Sequence, residues 1–280
     1  MATKRKKLSE MTITDDYMFG QVMSDPDKAK GLIQRILGNK IGAIKGVTLQ
    51  RSVKTEYETK GVRFDVFVEA DNGKTYDVEM QTTNDKGLAK RTRYYHDMID
   101  LDFLRNGSSY TELKPCFVIF VCTFDPFGKG DYLYSFEMRT DEENSICLKD
   151  ESYTVFLNIN GFHGKINQDL MNTIKYFRGE APDDEFTKSL DKSVCLIRHD
   201  PIKEAEYMTM LFKYEEERQA GREEGRKEGR EEERLERART IVRLCSAYGA
   251  GNAEIIERLI EELHWDRDTA SAFLKNFENA

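Results

Sequence analysis

The chain has 280 residues, 39% of them hydrophobic and 11% aromatic, which is enough apolar mass for a substantial core and excludes a disordered chain. Charged residues make up 34%, with 43 Lys and Arg against 51 Asp and Glu for a formal net charge of -8, so wholesale non-specific coating of nucleic acid is excluded while a local basic groove is not. The longest apolar run, Cys116 to Phe124 with Thr123 inside it, is far short of the roughly 20 residues of a membrane span, the opening residues carry no apolar signal core, and five cysteines without a CxxC and four histidines without an HxxxH make neither a disulfide framework nor a zinc ribbon; the expectation is a soluble cytoplasmic protein with no membrane partner.

In chain order, residues 1–13 form a basic arm led by Lys4, Arg5, Lys6 and Lys7. Residues 14–212 read as one mixed α/β domain. Asp25 is placed to cap a helix with Pro26 in its first turn, and Gly38-Asn39 to end it. Strand-like segments follow around 47–49, 63–70, 74–82, 115–124, 131–139 and 153–158, with a helix from about Leu88 to Leu104 between the third and fourth. Strand, strand, helix, strand is an α/β order. Helices are expected at about 168–178, at 184–199 and from 203 onward. Residues 213–240 form a charged helical linker built on the repeat Gly221-Arg-Glu-Glu, Gly225-Arg-Lys-Glu, Gly229-Arg-Glu-Glu, in which seven basic residues balance seven acidic ones from Gly221 to Arg239. Such a balance suits a solvated helix, although its glycines weaken it by roughly 1 kcal/mol each or serve as a small-residue stripe for a second helix. Residues 241–280 form a small helical module whose stripe of Ile255, Ile256, Leu259, Ile260 and Leu263 suits a helical hairpin or a contact between chains, that is, a homo-oligomer through the C-terminal helices.

Chemistry is concentrated in residues 62 to 96. Two alternating segments, Arg63-Phe-Asp65-Val-Phe67-Val-Glu69 and Tyr76-Asp77-Val-Glu79-Met-Gln81, are joined by Asp71-Asn72-Gly73, a three-residue loop with Gly where a left-handed backbone is wanted. With residues 70 and 74 flanking the loop, Asp65 falls opposite Glu79, Arg63 opposite Gln81, and Phe67 opposite Asp77, all on one face. Opposed acids repel. Either they face water on the outside of the hairpin, or a cation sits between them, in the way oxygen ligands hold Mg²⁺. Just beyond, Lys86, Lys90, Arg91 and Arg93 bring four positive charges with no acid among them, followed by Tyr94 and Tyr95. Cations here suit phosphates and tyrosines suit sugars or splayed bases, while core packing is the plainer role for at least one tyrosine.

The run Arg63-Phe-Asp65, Glu79-Met-Gln81, Lys90-Arg-Thr-Arg-Tyr-Tyr and the apolar strand ending Phe124-Asp125-Pro-Phe-Gly128, with the opening Thr14-Asp15-Asp16-Tyr17-Met18-Phe19, resembles the PD-(D/E)XK nuclease family transposases, related to the bacterial recombination-promoting nucleases. The resemblance covers roughly residues 11 to 180. It implies a restriction-endonuclease-like core, a mixed sheet flanked by helices with an α-helical C-terminal extension, and metal-dependent hydrolysis of DNA. In those terms Asp65 and Glu79 are the family's two acids, binding Mg²⁺ or Mn²⁺ with the Met80 backbone carbonyl. Gln81 stands where the wider superfamily has Lys and would orient water without supplying charge. Lys86, Lys90, Arg91, Arg93 and Tyr94 would contact nucleic acid. The glutamine also admits an alternative, a catalytically weak or inactive DNA-binding or assembly protein that keeps the fold. Both acids are expected on a hydrated face.

Overall fold

The structure, a computed structural model, describes residues 6–39, 41–53, 61–104, 106–141 and 146–278. The tip of the basic arm, residues 1–5, lies outside them. Two compact units divide between Tyr207 and Met208.

The first unit opens with helices α1 (Asp16–Met23) and α2 (Pro26–Leu37). Asp25 caps α2 by accepting the backbone N–H of Asp27 and Lys28, and Gly38, at φ 70°, ends it, a left-handed position that costs glycine nothing. Strands β1 (Ile44–Val53), β2 (Val62–Ala70) and β3 (Thr75–Gln81) follow, then α3 (Leu88–Phe103), β4 (Cys116–Cys122), β5 (Leu133–Phe136), β6 (Ser152–Asn158), α4 (Gln168–Phe177) and α5 (Glu185–Arg198). The strands form one mixed sheet in the order β1-β2-β3-β4-β6-β5. Pairing is antiparallel along β1-β2-β3 and parallel at β3-β4 and β4-β6, and β5 returns antiparallel to β6. A parallel step needs a crossover, and α3 provides the one between β3 and β4.

Residues that alternate along a strand point to opposite faces. On β4, Cys116, Val118, Phe120 and Cys122 join Leu88, Tyr95, Met98 and Ile99 of α3 in one buried cluster, while Ile119 and Val121, also fully buried, face the other way. Both faces of the sheet are therefore covered, which explains why β4 is apolar throughout. On the second face α1 packs on β2 and β3, and α2, α4 and α5 pack around it. The result is a mixed sheet flanked by helices, as expected.

Helix α6 (Pro201–Ala247) begins in the first unit and runs unbroken through the charged repeat. Residues 241–247, expected in a separate module, are its last two turns. A Cβ built on Gly221, Gly225 or Gly229 meets nothing within 4 Å. In the second unit the end of α6 joins α7 (Asn252–Leu263) and α8 (Arg267–Glu278) around Val242, Ile255, Leu259, Leu263, Trp265 and Leu274. Among the described residues no helix is long and apolar enough to cross a membrane.

Candidate active site

The β2–β3 hairpin turns through Gly73 at φ 81°, and its register pairs Val66 with Val78, Phe67 with Asp77 and Val68 with Tyr76. The regular ladder ends at Val66. Asp65 is left out on its other side too: the register is the same at Leu49–Val66 and at Arg51–Phe64, but the Gln50–Asp65 pair between them is not made, and Gln50 adopts φ 52°. The interruption has a visible result: Phe64 and Phe67, three apart, both reach the cluster under α3.

Where the ladder stops, side chains replace it. The Asp65 backbone N–H donates to Glu79 Oε1 at 2.8 Å, and the Met80 N–H donates to Asp65 Oδ2 at 3.3 Å. Because a residue's N–H and C=O lie on the same edge of a strand, the Met80 carbonyl shares that edge with Asp65. The opening thus collects two carboxylates and a backbone carbonyl.

The hydrated face expected for the acids is not what the fold provides. Glu79 is 4% exposed and Asp77 0%, and Asp65 is half-buried. The reason is α3, which lies over this face of β3 and places the Tyr95 hydroxyl 3.3 Å from Glu79 Oε2 as a donor. Burial is the main force raising the pKa of each acid. For Asp65 the charge of Asp16 adds to it, offset by the Met80 N–H, Arg91 and Arg63. For Glu79 the charge of Asp65 adds to it, against the Asp65 N–H, Arg91 and Tyr95. Asp77 is raised well above the ordinary carboxylate value, by complete burial, then by the charges of Glu79 and Asp65 and by the close approach of the Glu79 carboxyl, and among the described residues neither of its oxygens meets a partner at hydrogen-bond geometry.

Arg91 answers this negative charge. Its guanidinium lies 3.7 Å from Glu79 Oε2, donates to Gln81 Oε1 at 2.6 Å, and sits over the rings of Phe120 and Tyr95. The Gln81 amide nitrogen donates to the Thr83 carbonyl at 2.6 Å, so Gln81 is held at both ends. Of the basic residues singled out by sequence, Arg91 points into the site, whereas Lys86, Lys90 and Arg93 are exposed and Tyr94 packs partly against the cluster under α3.

Sequence reasoning assigns no role to Asp16 or Asp77, and it offers Tyr95 for base or sugar stacking or for core packing, not for the contact it makes with Glu79. Asp77 carries a legible signal, since it alternates with Glu79 and Gln81 on the strand. Asp16 does not, because its approach to Asp65 depends on how α1 packs.

A family model for the PD-(D/E)XK nuclease family transposase matches residues 13–240. The chain belongs to this family. The match spans both units and ends within α6, so the charged repeat lies inside the family's extent. No curated protein and no solved structure matches the chain. In a PD-(D/E)XK nuclease family transposase the buried, mutually repelling acids of β2 and β3 have a nuclease-like context, and the all-oxygen donor set of Asp65, Glu79 and the Met80 carbonyl fits a hard divalent cation. The unpartnered Asp77 oxygens agree with a site short of positive charge. Among the described residues no three His, Cys, Asp or Glu side chains converge as a metal centre, so water and phosphate oxygens would complete the coordination.

Proposed function

We propose that the protein is a divalent-metal-dependent nuclease that hydrolyses phosphodiester bonds in DNA, serving recombination, mobile-element activity or defence against foreign DNA. The observation that carries this reading is the opened β2–β3 ladder, where Asp65, Glu79 and the Met80 carbonyl edge converge beside Arg91. Mg²⁺ or Mn²⁺ bound there would lower the pKa of a coordinated water and offset charge on the phosphate.

The protein's own groups have separable parts. Asp65 and Glu79 hold the cation. Arg91 brings from α3 the positive charge that a glutamine at 81 does not supply. Gln81 fixes Arg91 through its amide oxygen and keeps a second lone pair and a second N–H for orienting water. Lys86, Lys90 and Arg93, exposed at the start of α3, attract the DNA backbone in a salt-dependent way. The glutamine supports one other reading, a DNA-binding or assembly protein with little catalysis.

Plasmid nicking with Mg²⁺, Mn²⁺ or EDTA, run on the natural protein beside Asp65→Ala, tests the proposal. Nicking that needs metal and vanishes in Asp65→Ala is expected. DNA binding without nicking in any metal would favour the second reading, and nicking that survives Asp65→Ala would refute the site.

A further inference from the structure

Beyond the carboxyl ends of β3 and β4 lies a cavity of about 300 Å³ lined by Asn84, Asp85, Lys86, Leu88, Ala89, Pro126, Phe127 and Phe156. Its position is the usual one for ligands in sheets with parallel strands. Its size is at the small end for ligand sites, room for one planar ring system.

The apolar side is aromatic and built. Phe127 packs edge-on against Phe156 with centroids 5.1 Å apart, and also meets Tyr134 at 4.8 Å and Phe136 at 5.1 Å. Phe127 nevertheless remains 38% exposed and Phe136 47%. The loop that presents Phe127 is held in place. Asp125 accepts the N–H of Phe127 at 3.0 Å, the N–H of Gly130 at 2.6 Å and the Tyr134 hydroxyl at 2.8 Å. An exposed ring on a fixed loop binds a flat partner with little ordering cost.

The polar side suits a nucleotide. Lys86 and Asn84 are exposed at the rim, an ammonium for phosphate and an amide for base edges. Asp85, the rim's acid, is turned to its own turn and accepts the Gly87 N–H at 2.8 Å.

The cavity is also within reach of the candidate active site. Glu79 pairs across the sheet with Phe120, and Phe120 with Phe156. Two strand spacings put Phe156 about 10 Å from Glu79, a span of about three nucleotides at the rise of a stacked strand.

We propose that this cavity takes an unpaired nucleobase of the DNA strand being cut, stacked on Phe127, with Lys86 on the adjoining phosphate. The inference rests on the nuclease reading and deepens it: the substrate is DNA with a single-stranded or splayed segment next to the scissile bond, because a base inside a duplex cannot enter.

The test uses the full chain in EDTA, so that cleavage plays no part. A single-stranded oligonucleotide carrying 2-aminopurine and a blunt duplex of the same sequence are titrated by fluorescence and anisotropy. Quenching of 2-aminopurine by the natural protein is expected. Phe127→Ala should weaken single-strand binding about ten-fold and duplex binding less than about two-fold, while Phe127→Trp restores quenching. Ala89 is exposed on the cavity wall, so Ala89→Phe fills the cavity without disturbing the core and should reproduce the loss. If the natural protein binds both DNAs and neither Phe127→Ala nor Ala89→Phe alters their ratio, the base site is refuted and the nuclease reading stands. If it binds neither DNA in EDTA, the base site is refuted, and metal-dependent nicking still decides the nuclease reading.

Discussion

Replacing Asp77 with asparagine should make the metal-free protein more stable, by an amount that grows with pH. The side chain is fully buried beside Glu79 and Asp65, so the folded state holds its proton above the ordinary value of 3.8 at which an unfolded chain ionises it. The folded state therefore binds the proton more tightly, and stability falls as pH rises from 3.8 toward the raised value. Between 3.8 and the raised value, each pH unit costs about 1.4 kcal/mol of stability. An asparagine side chain in the same place has nearly the same shape and cannot titrate. Its amide is left as poorly paired as the protonated acid was, so the proton term is what the substitution removes. At about 2–4 °C per kcal/mol for a domain of this size, the gain in melting temperature should grow by about 3–5 °C per pH unit within that window. Thermal melts of both proteins in EDTA at pH 5, 6 and 7 measure it. A gain of the same size at every pH, or a loss at pH 7, would show that Asp77 has a partner or is already neutralised.

Arg91→Ala removes the cation beside Glu79, whose carboxyl burial pushes up to about 8, so it should destabilise the metal-free protein more at pH 9, where Glu79 must ionise or take up a proton, than at pH 7, as seen in urea unfolding; Arg91→Lys should recover part of that stability, and a loss that does not grow with pH would mean Glu79 does not depend on the pair. Replacing Gly221, Gly225 and Gly229 together with alanine should raise helix content and stabilise α6 by about 1 kcal/mol per site, since nothing stands within 4 Å of the added Cβ atoms; a loss in circular dichroism would reveal a close-packed partner there. Gly161→Ala should cost several kcal/mol, because its Cβ would lie 2.7 Å from the backbone of Tyr132, and an unchanged melting temperature would contradict that contact. A chain ending at residue 212 is expected to keep the cooperative melt of the α/β unit, and light scattering would show whether the C-terminal helices pair between chains; loss of the melt would make the tail part of the core.

Most of the fold was legible because its signals are local. Asp25-Pro26 and Gly38 mark the ends of α2, and Asp71-Asn72-Gly73 sets a hairpin register that places Asp65 beside Glu79. Helix α1 is less visible, since its eight residues are too few to show a period. The charged repeat is legible in composition, yet its glycines conceal that α6 is continuous, because propensity is a weak guide when every neighbouring residue favours helix. In the site, the acids were legible and their burial was not. Alternation says which residues share a face, and only tertiary packing says what covers it; here α3 covers it and turns Arg91 inward. Phe127 stands out only as part of a motif, because nothing in a sequence shows that the loop after β4, Phe156 of β6 and the start of α3 enclose a space.

Strand β4 is paired in parallel on both sides, to β3 and to β6, and this has a consequence for how the protein is made. Its seven residues, Cys-Phe-Val-Ile-Phe-Val-Cys, carry neither charge nor proline, the composition of a segment that self-associates when left bare. On the ribosome β3 and α3 emerge before it, but β6 ends at Asn158, and at typical elongation rates it follows β4 by about 2–7 s. During that interval one long edge of the most apolar strand is unpaired. Yield in the cell should therefore depend on chaperone supply and temperature more than on the stability of the finished fold, and released chains that end between residues 130 and 150 should aggregate while those that end after α4 do not.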